Sequence, residues 1–373
     1  MGESATVIQL LFNLFLWMMM LLIFKKAFYF PYRIKRTNRN VAIFLILIFC
    51  LYPFFGGDYF HYRQMYNEFN AGGFIPLEKI YQWIIGNLSF SYLSFRLIVW
   101  GAALWLLFKA YKRVTVPFDL CLALFASMFM IWFSYARVSL AMAMILVGMT
   151  FVIRPAIRMP IVSVIVGVSL ILCSEFFHRS AIIGIAAAFG ALLLTNADKK
   201  RILLIGLLFP VAILILTKLL DNFMTIDLDY DTFITGNQRD GYLNDTETGR
   251  HSRGIGELIS NFLTRTPMFL VAFLYLYIIF KNKYMQLPKD VRYIASYAFI
   301  IVLIATAFSF DLGFNTYVLF YRTLTFAMVP STVFIASVRE NKFAKNLTEL
   351  IVLIGISGVA YTLLYSTYCA IVG

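Results

Sequence analysis

Residues 160–195 read PIVSVIVGVSLILCSEFFHRSAIIGIAAAFGALLLT. Two apolar runs, 160–177 and 180–195, meet at Glu175-Phe176-Phe177-His178-Arg179-Ser180 with almost no connecting loop. A membrane helix needs about 20 predominantly apolar residues. Charges confined to the hinge between two such runs indicate a chain that crosses a bilayer and turns straight back. Working outward, the same pattern recurs at 5–24, 41–55, 91–109, 117–134, 138–153, 201–219, 258–280, 292–309, 316–337 and 348–370. The expected fold is all-α, a polytopic integral membrane protein of about 12 transmembrane helices forming a single domain over 1–373. The stretch 76–87 (PLEKIYQWIIGN) is too short and too amphipathic to span. It reads as an interfacial or re-entrant helix within an outer loop at 56–90. Residues 220–257 are the one long polar connection, and loops beyond about 12–15 residues are usually functional lids or disordered.

Composition agrees with the pattern. Of 373 residues, 61% are hydrophobic and 14% charged, against about 25% charged in soluble proteins. Mean hydropathy is +0.80. These values exclude a cytosolic enzyme, a disordered chain and a DNA-binding domain of ordinary type. The 32 basic and 19 acidic residues leave a net charge of +13. In a soluble protein that excess would point to nucleic acid; in a membrane protein it maps topology. Alternate connections collect Lys25, Lys26, Arg33, Lys35, Arg36 and Arg39; Lys109, Lys112 and Arg113; Arg154 and Arg158; Lys199, Lys200 and Arg201; Lys281, Lys283, Lys289 and Arg292; and Arg339, Lys342 and Lys345. The positive-inside rule makes that side cytoplasmic and both termini extracytoplasmic. The 11 remaining bases, mostly arginine, fall on the outer side with most of the acids, and no nucleic-acid partner is expected. Cys50, Cys121, Cys173 and Cys369 each lie inside an apolar run, none in a C-x-x-C pair, and read as small core residues. The first apolar run lacks a basic n-region before it and reads as a retained span.

The outer features carry the chemistry. Asp58 follows Gly56-Gly57 at the membrane surface, placed to serve as a general base, as a ligand for a sugar hydroxyl, or as a helix N-cap. Tyr59, Tyr62 and Tyr66 fall at helical spacing, forming either a glycan-stacking face or an interfacial aromatic belt. Arg137 begins a span, where free helix N–H groups and a guanidinium favour an anion; a snorkelling arginine is the plainer alternative. Glu175, His178 and Arg179 share one face if the chain there is helical. The three then supply a base and a phosphate ligand, unless Glu175 merely neutralises Arg179. Arg253 precedes a span at the end of the long loop, and Arg322 lies inside one beyond Asp311. An intramembrane arginine is a functional candidate by default, with a structural pair to Asp311 as the alternative. H-E-x-x-H, Walker, G-x-S-x-G and clustered-cysteine motifs are missing from the sequence. The acidic run at Asp227, Asp229 and Asp231 has no regular framework to hold an ion. Neither metal nor cofactor is expected.

In order along the chain, Gly57-Asp58-Tyr59 to Tyr66, Gly73-Phe74-Ile75-Pro76-Leu77, Tyr135-Ala136-Arg137-Val138-Ser139-Leu140-Ala141, Phe177-His178-Arg179-Ser180-Ala181 and Tyr321-Arg322 resemble elements of the EpsG-like family of Wzy-type polysaccharide polymerases. The 220–257 loop matches none of these elements. The resemblance implies a GT-C-like glycosyltransferase of the bacterial cytoplasmic (inner) membrane with its site on the outer face. It further implies polymerisation of an O-antigen, capsule or exopolysaccharide from undecaprenyl-diphosphate-linked oligosaccharide. Its partners would be that lipid, the membrane and a chain-length co-polymerase. Under that chemistry Arg137, Arg179, Arg253 and Arg322 hold the departing diphosphate. His178 or Asp58 takes the acceptor proton, with Glu175 orienting His178, and the three tyrosines hold glycan. Two other classes share some of these features. One is an O-antigen-type ligase using the same donor; the other is a transporter or flippase for the lipid-linked sugar. Transporters often show repeated halves and midplane charges. Here no repeat is visible and the unexplained charges gather at one surface, which favours an enzyme.

Overall fold

The computed structural model describes residues 59–73, 77–129, 136–223, 255–309 and 314–372, with scattered helical positions between 7 and 47. Among the described residues every regular element is a helix. Two short ones, α1 (Tyr59–Asn70) and α2 (Lys79–Asn87), occupy the stretch expected as an outer loop. The apolar segments expected from residue 91 onward each carry a helix. These are α3 (Tyr92–Arg113), α4 (Phe118–Met128), α5 (Ala136–Ile153), α6 (Pro160–Cys173), α7 (Ala181–Thr195) and α8 (Lys199–Phe223), then α9 (Ile255–Phe280), α10 (Lys289–Ser309), α11 (Phe314–Glu340) and α12 (Lys345–Val372). Within them Tyr92–Arg113, Phe262–Phe280, Lys289–Ala307 and Lys345–Tyr365 are long and apolar enough to cross a membrane by length and composition.

Local chemistry sets the ends. Ser91 and Ser94 cap α3 reciprocally: the Ser91 hydroxyl accepts from Ser94 N–H at 3.1 Å and the Ser94 hydroxyl from Ser91 N–H at 3.0 Å. Lys112 and Arg113 close its last turn, where cations suit the helix dipole. Two boundaries fall short of expectation. In the run 117–134, α4 stops at Met128. The run 160–177 is not helical to its end: α6 stops at Cys173 and the chain tightens into a 3-10 turn, Ser174–Phe176. The Ser174 hydroxyl donates to Ile171 O at 2.6 Å, inside the last turn of α6.

α10 is the centre of the bundle. Of its apolar window 89% is buried, against 44% for each of the other three spans, which keep a face outward. α11 lies along α10, α7 and α8 cover other sides, and α9 and α12 pair beyond. On the far flank α3 packs on α5, and α5 on α6. Small residues allow that last approach. A Cβ on Gly148 would come within 2.6 Å of the Gly167 carbonyl, and one on Gly167 within 2.7 Å of the Gly148 carbonyl. Between membrane helices, where apolar burial gives little net drive, such contact and hydroxyl bonds supply the cohesion. Around α10, Ser296 bonds both Tyr275 and Tyr284 at 2.9 Å, and the Tyr293 hydroxyl donates to Ala188 O at 3.0 Å.

The two ends of the α3–α5–α6 layer differ chemically. At one, Arg113 and Arg154 each donate to the other's backbone carbonyl at 2.7 Å. There the buried Asp290, from the first turn of α10, accepts from Thr115 N–H at 2.7 Å and pairs with Arg154 at 3.5 Å. α3 and α5 therefore run parallel, with α6 returning along α5. The opposite end brings together the start of α5, the α6–α7 turn and the outer helices.

Candidate functional site

Three chain segments far apart in sequence converge at that opposite end. The first is the start of α2. Glu78 occupies its N-cap position but its side chain makes no cap bond; the carboxylate turns instead toward the bundle. The second is the first turn of α5, which carries Arg137. Its Nη1 donates to both Glu78 oxygens at 3.2 and 3.0 Å, and its Nε donates to the Tyr62 hydroxyl at 3.0 Å. The guanidinium also lies 5.7 Å from the Tyr62 ring centre. The third is the α6–α7 turn, where Nδ1 of the buried His178 stands 3.5 Å from Glu78 Oε1. A single carboxylate thus holds both an arginine and a histidine.

Electrostatics fixes the protonation of that carboxylate. Burial pushes the Glu78 carboxyl up, but the hydrogen bond with His178 and the neighbouring Arg137 charge outweigh it, holding the group below its ordinary value of 4.5. Glu78 is therefore ionised at neutral pH and can only accept. The His178 Nδ1 facing it carries a proton, and in the neutral form of the ring the lone pair then lies on Nε2. This is the arrangement a general base requires. Arg137 has its Nε and Nη1 committed; its Nη2 makes no hydrogen bond among the described residues.

One helical turn past Glu78, on the same face of α2, stands Tyr81. Its ring meets Phe95 of α3 and Phe177 of the α6–α7 turn edge-on, at 6.3 and 6.1 Å between centres. The residue is wholly buried and its hydroxyl has no hydrogen-bond partner among the described residues. Burial pushes the phenol well above its usual value of 10, and the Glu78 charge adds to that, so it stays protonated.

The expected site residues divide accordingly. Arg137, His178 and Tyr62 meet in one cluster. Glu175 and Arg179 do not join it: both are exposed, because the continuous helix that would align them with His178 ends at Cys173. The carboxylate beside His178 is Glu78, while Glu175 contributes only its backbone carbonyl, which accepts from His178 N–H at 3.2 Å. Tyr66 is buried against Tyr92 and Phe95, 5.9 and 6.2 Å away. Its ring is packed in the protein and faces neither solvent nor lipid. Asp58 and Arg253 lie outside the described residues, as does most of the 220–257 loop. Tyr59 opens α1 and Arg322 sits in the third turn of α11, and their side chains are outside the described part.

Glu78 and Tyr81 were not among the residues singled out from the sequence. The available signal was slight. Glu78 is the only acid of 76–87, and Tyr81, Ile84 and Ile85 lie on its buried face.

With the geometry in place, comparison with known proteins adds one finding. The family model described as EpsG family matches residues 40–371. No curated protein and no solved structure matches the chain.

Proposed function

On the premise that the chain belongs to the EpsG family, a membrane family of polysaccharide polymerase type, we propose that it is a polysaccharide polymerase. It transfers a glycan from undecaprenyl diphosphate onto a lipid-linked repeat unit at the outer face of the bacterial cytoplasmic membrane. The chain crosses about twelve times, in a GT-C-like arrangement, with both termini outside. The observation that carries this reading is the Glu78–Arg137–His178 cluster, which combines an oriented base and a fixed cation at the end of the bundle opposite Arg113 and Arg154.

The chemistry follows from the residues. His178 Nε2 takes the proton of the acceptor sugar hydroxyl as its oxygen bonds to the anomeric carbon of the donor. The bond from that carbon to the diphosphate oxygen breaks, and the diphosphate leaves with the electron pair. Its growing charge is met by Arg137 through Nη2, with Arg179, Arg253 and Arg322 as further cations. Glu78 keeps His178 in the required tautomer and Arg137 in place, so neither has to reorganise during the reaction. The exposed Arg179 is suited to first capture of the anion, and the 220–257 loop to covering the glycan.

Arg137→Ala and Arg322→Ala should each abolish polymer while single repeat units still reach the surface. His178→Gln should lower transfer by about 10²–10⁴-fold in an assay with purified protein and lipid-linked donor. Polymer of normal length from the arginine variants would refute the pocket. Loss of all surface repeat units in a deletion strain would point to a flippase, and loss of glycan only from a separate acceptor to a ligase.

A further inference from the structure

A buried hydroxyl without a partner is costly, and most such groups in proteins are satisfied. Tyr81 is an exception at this site: its hydroxyl is buried and has no hydrogen-bond partner among the described residues. Its ring is fixed between Phe95 and Phe177, so the phenol is held in place rather than free to swing to water. It shares a face of α2 with Glu78, whose carboxylate is bound to Arg137. Phe177, which stacks edge-on against it, immediately precedes His178. The ring is thus enclosed among α2, α3 and the α6–α7 turn, the first and last of which also build the cluster. Two residues past His178, the Ser180 hydroxyl is also buried and without a hydrogen-bond partner among the described residues.

From this placement we infer that Tyr81 is a ligand-binding donor: its hydroxyl, together with Nη2 of Arg137, holds a phosphoryl oxygen of the lipid diphosphate. The inference rests on the function proposed above and adds a residue that the sequence did not single out. A neutral donor of fixed position complements the arginine. It binds the oxygen without adding a charge that Glu78 would have to balance, and it helps exclude water from the leaving group.

Tyr81→Phe keeps the ring and removes only the oxygen. In the full-length protein in detergent micelles, thermal midpoints are measured with undecaprenyl diphosphate and, separately, with undecaprenol. Wild type should be stabilised by the diphosphate and not by the alcohol. Y81F should melt at or above the wild-type midpoint without lipid, because it loses an unsatisfied polar atom. Its affinity for the diphosphate should be weaker by about ten-fold, the usual scale for a hydrogen bond to a charged group. Binding of the diphosphate by Y81F as tight as wild type would overturn the inference and leave the proposed function standing. A lower midpoint for lipid-free Y81F would assign the hydroxyl a structural partner and also overturn it. If the diphosphate failed to stabilise wild type, the proposed function would fall together with the inference.

Discussion

Glu78 holds two functional groups at once, and its removal should be felt in both. Glu78→Gln keeps the shape but removes the charge. It leaves Arg137 buried without its counter-ion and allows either tautomer of His178. The expected result is about a hundred-fold loss of transfer and about 2–3 kcal/mol of stability. The stability term has a pH signature. Because the folded carboxyl lies below its ordinary 4.5, its contribution is fully present above that value and is lost as pH falls through the folded one. The gap in melting midpoint between wild type and E78Q should therefore be constant near neutrality and close on acidification below about pH 4.5. A gap unchanged at pH 3 would mean that Glu78 is not the ionised partner. Arg137 and His178 were legible in the sequence because charge is conspicuous beside apolar runs. Glu78 was not, since an acid at the start of an amphipathic helix looks like an ordinary solvated cap. Its link to Arg137 spans 59 positions, and a contact of that separation leaves no periodicity to read. Glu175 is the nearer acid to His178 in sequence, yet a 3-10 turn is enough to swing a near neighbour outward.

At the scale of elements, the site depends on how closely α5 and α6 approach, since Arg137 stands on one and His178 follows the other. Gly148→Leu would drive a side chain into the Gly167 carbonyl and Ile171. It should cost more than the about 1–3 kcal/mol of ordinary overpacking, because backbone must move. Gly101→Leu, with nothing within 4 Å of the added carbon, is the matched control and should leave melting and transfer near wild type. Equal losses in both variants would show that the close contact is not what positions the turn. The other end of the same layer is secured by Asp290. Asp290→Ala strands Thr115 N–H and loosens Arg154, with an expected cost of about 2–3 kcal/mol in melting and a smaller effect on transfer. Helix existence was readable from apolar runs, as α3 to α12 show. Their pairing was not, because a stripe that is apolar nearly all round does not say which face meets protein and which meets lipid.

At the scale of the whole molecule, the sorting of charge predicts a direction across the membrane. Cysteine placed at exposed Arg179 should react with a membrane-impermeant thiol reagent in intact cells. Cysteine at exposed Lys112 should react only after the membrane is opened. The reverse pattern would invert the topology and put the cluster in the cytoplasm, where a lipid-linked repeat unit exported for polymerisation does not reach it. The endogenous thiols that could interfere include Cys173, exposed on α6, whereas Cys121 is buried.

The enclosure of α10 has a further consequence for how the chain comes to be made. A helix wrapped by protein on nearly every side still has to enter the bilayer as a single segment, before α11 and α12 have left the ribosome. During that interval its tyrosines and Ser296 face lipid or a chaperone instead of their final partners. Defects in this helix should therefore register as failed biogenesis, with the nascent chain cleared by proteases, whereas His178→Gln, which leaves the Glu78–Arg137 pair in place, should yield normal amounts of an inert protein. The quantity of protein in the membrane, measured beside the glycan it makes, separates the two classes.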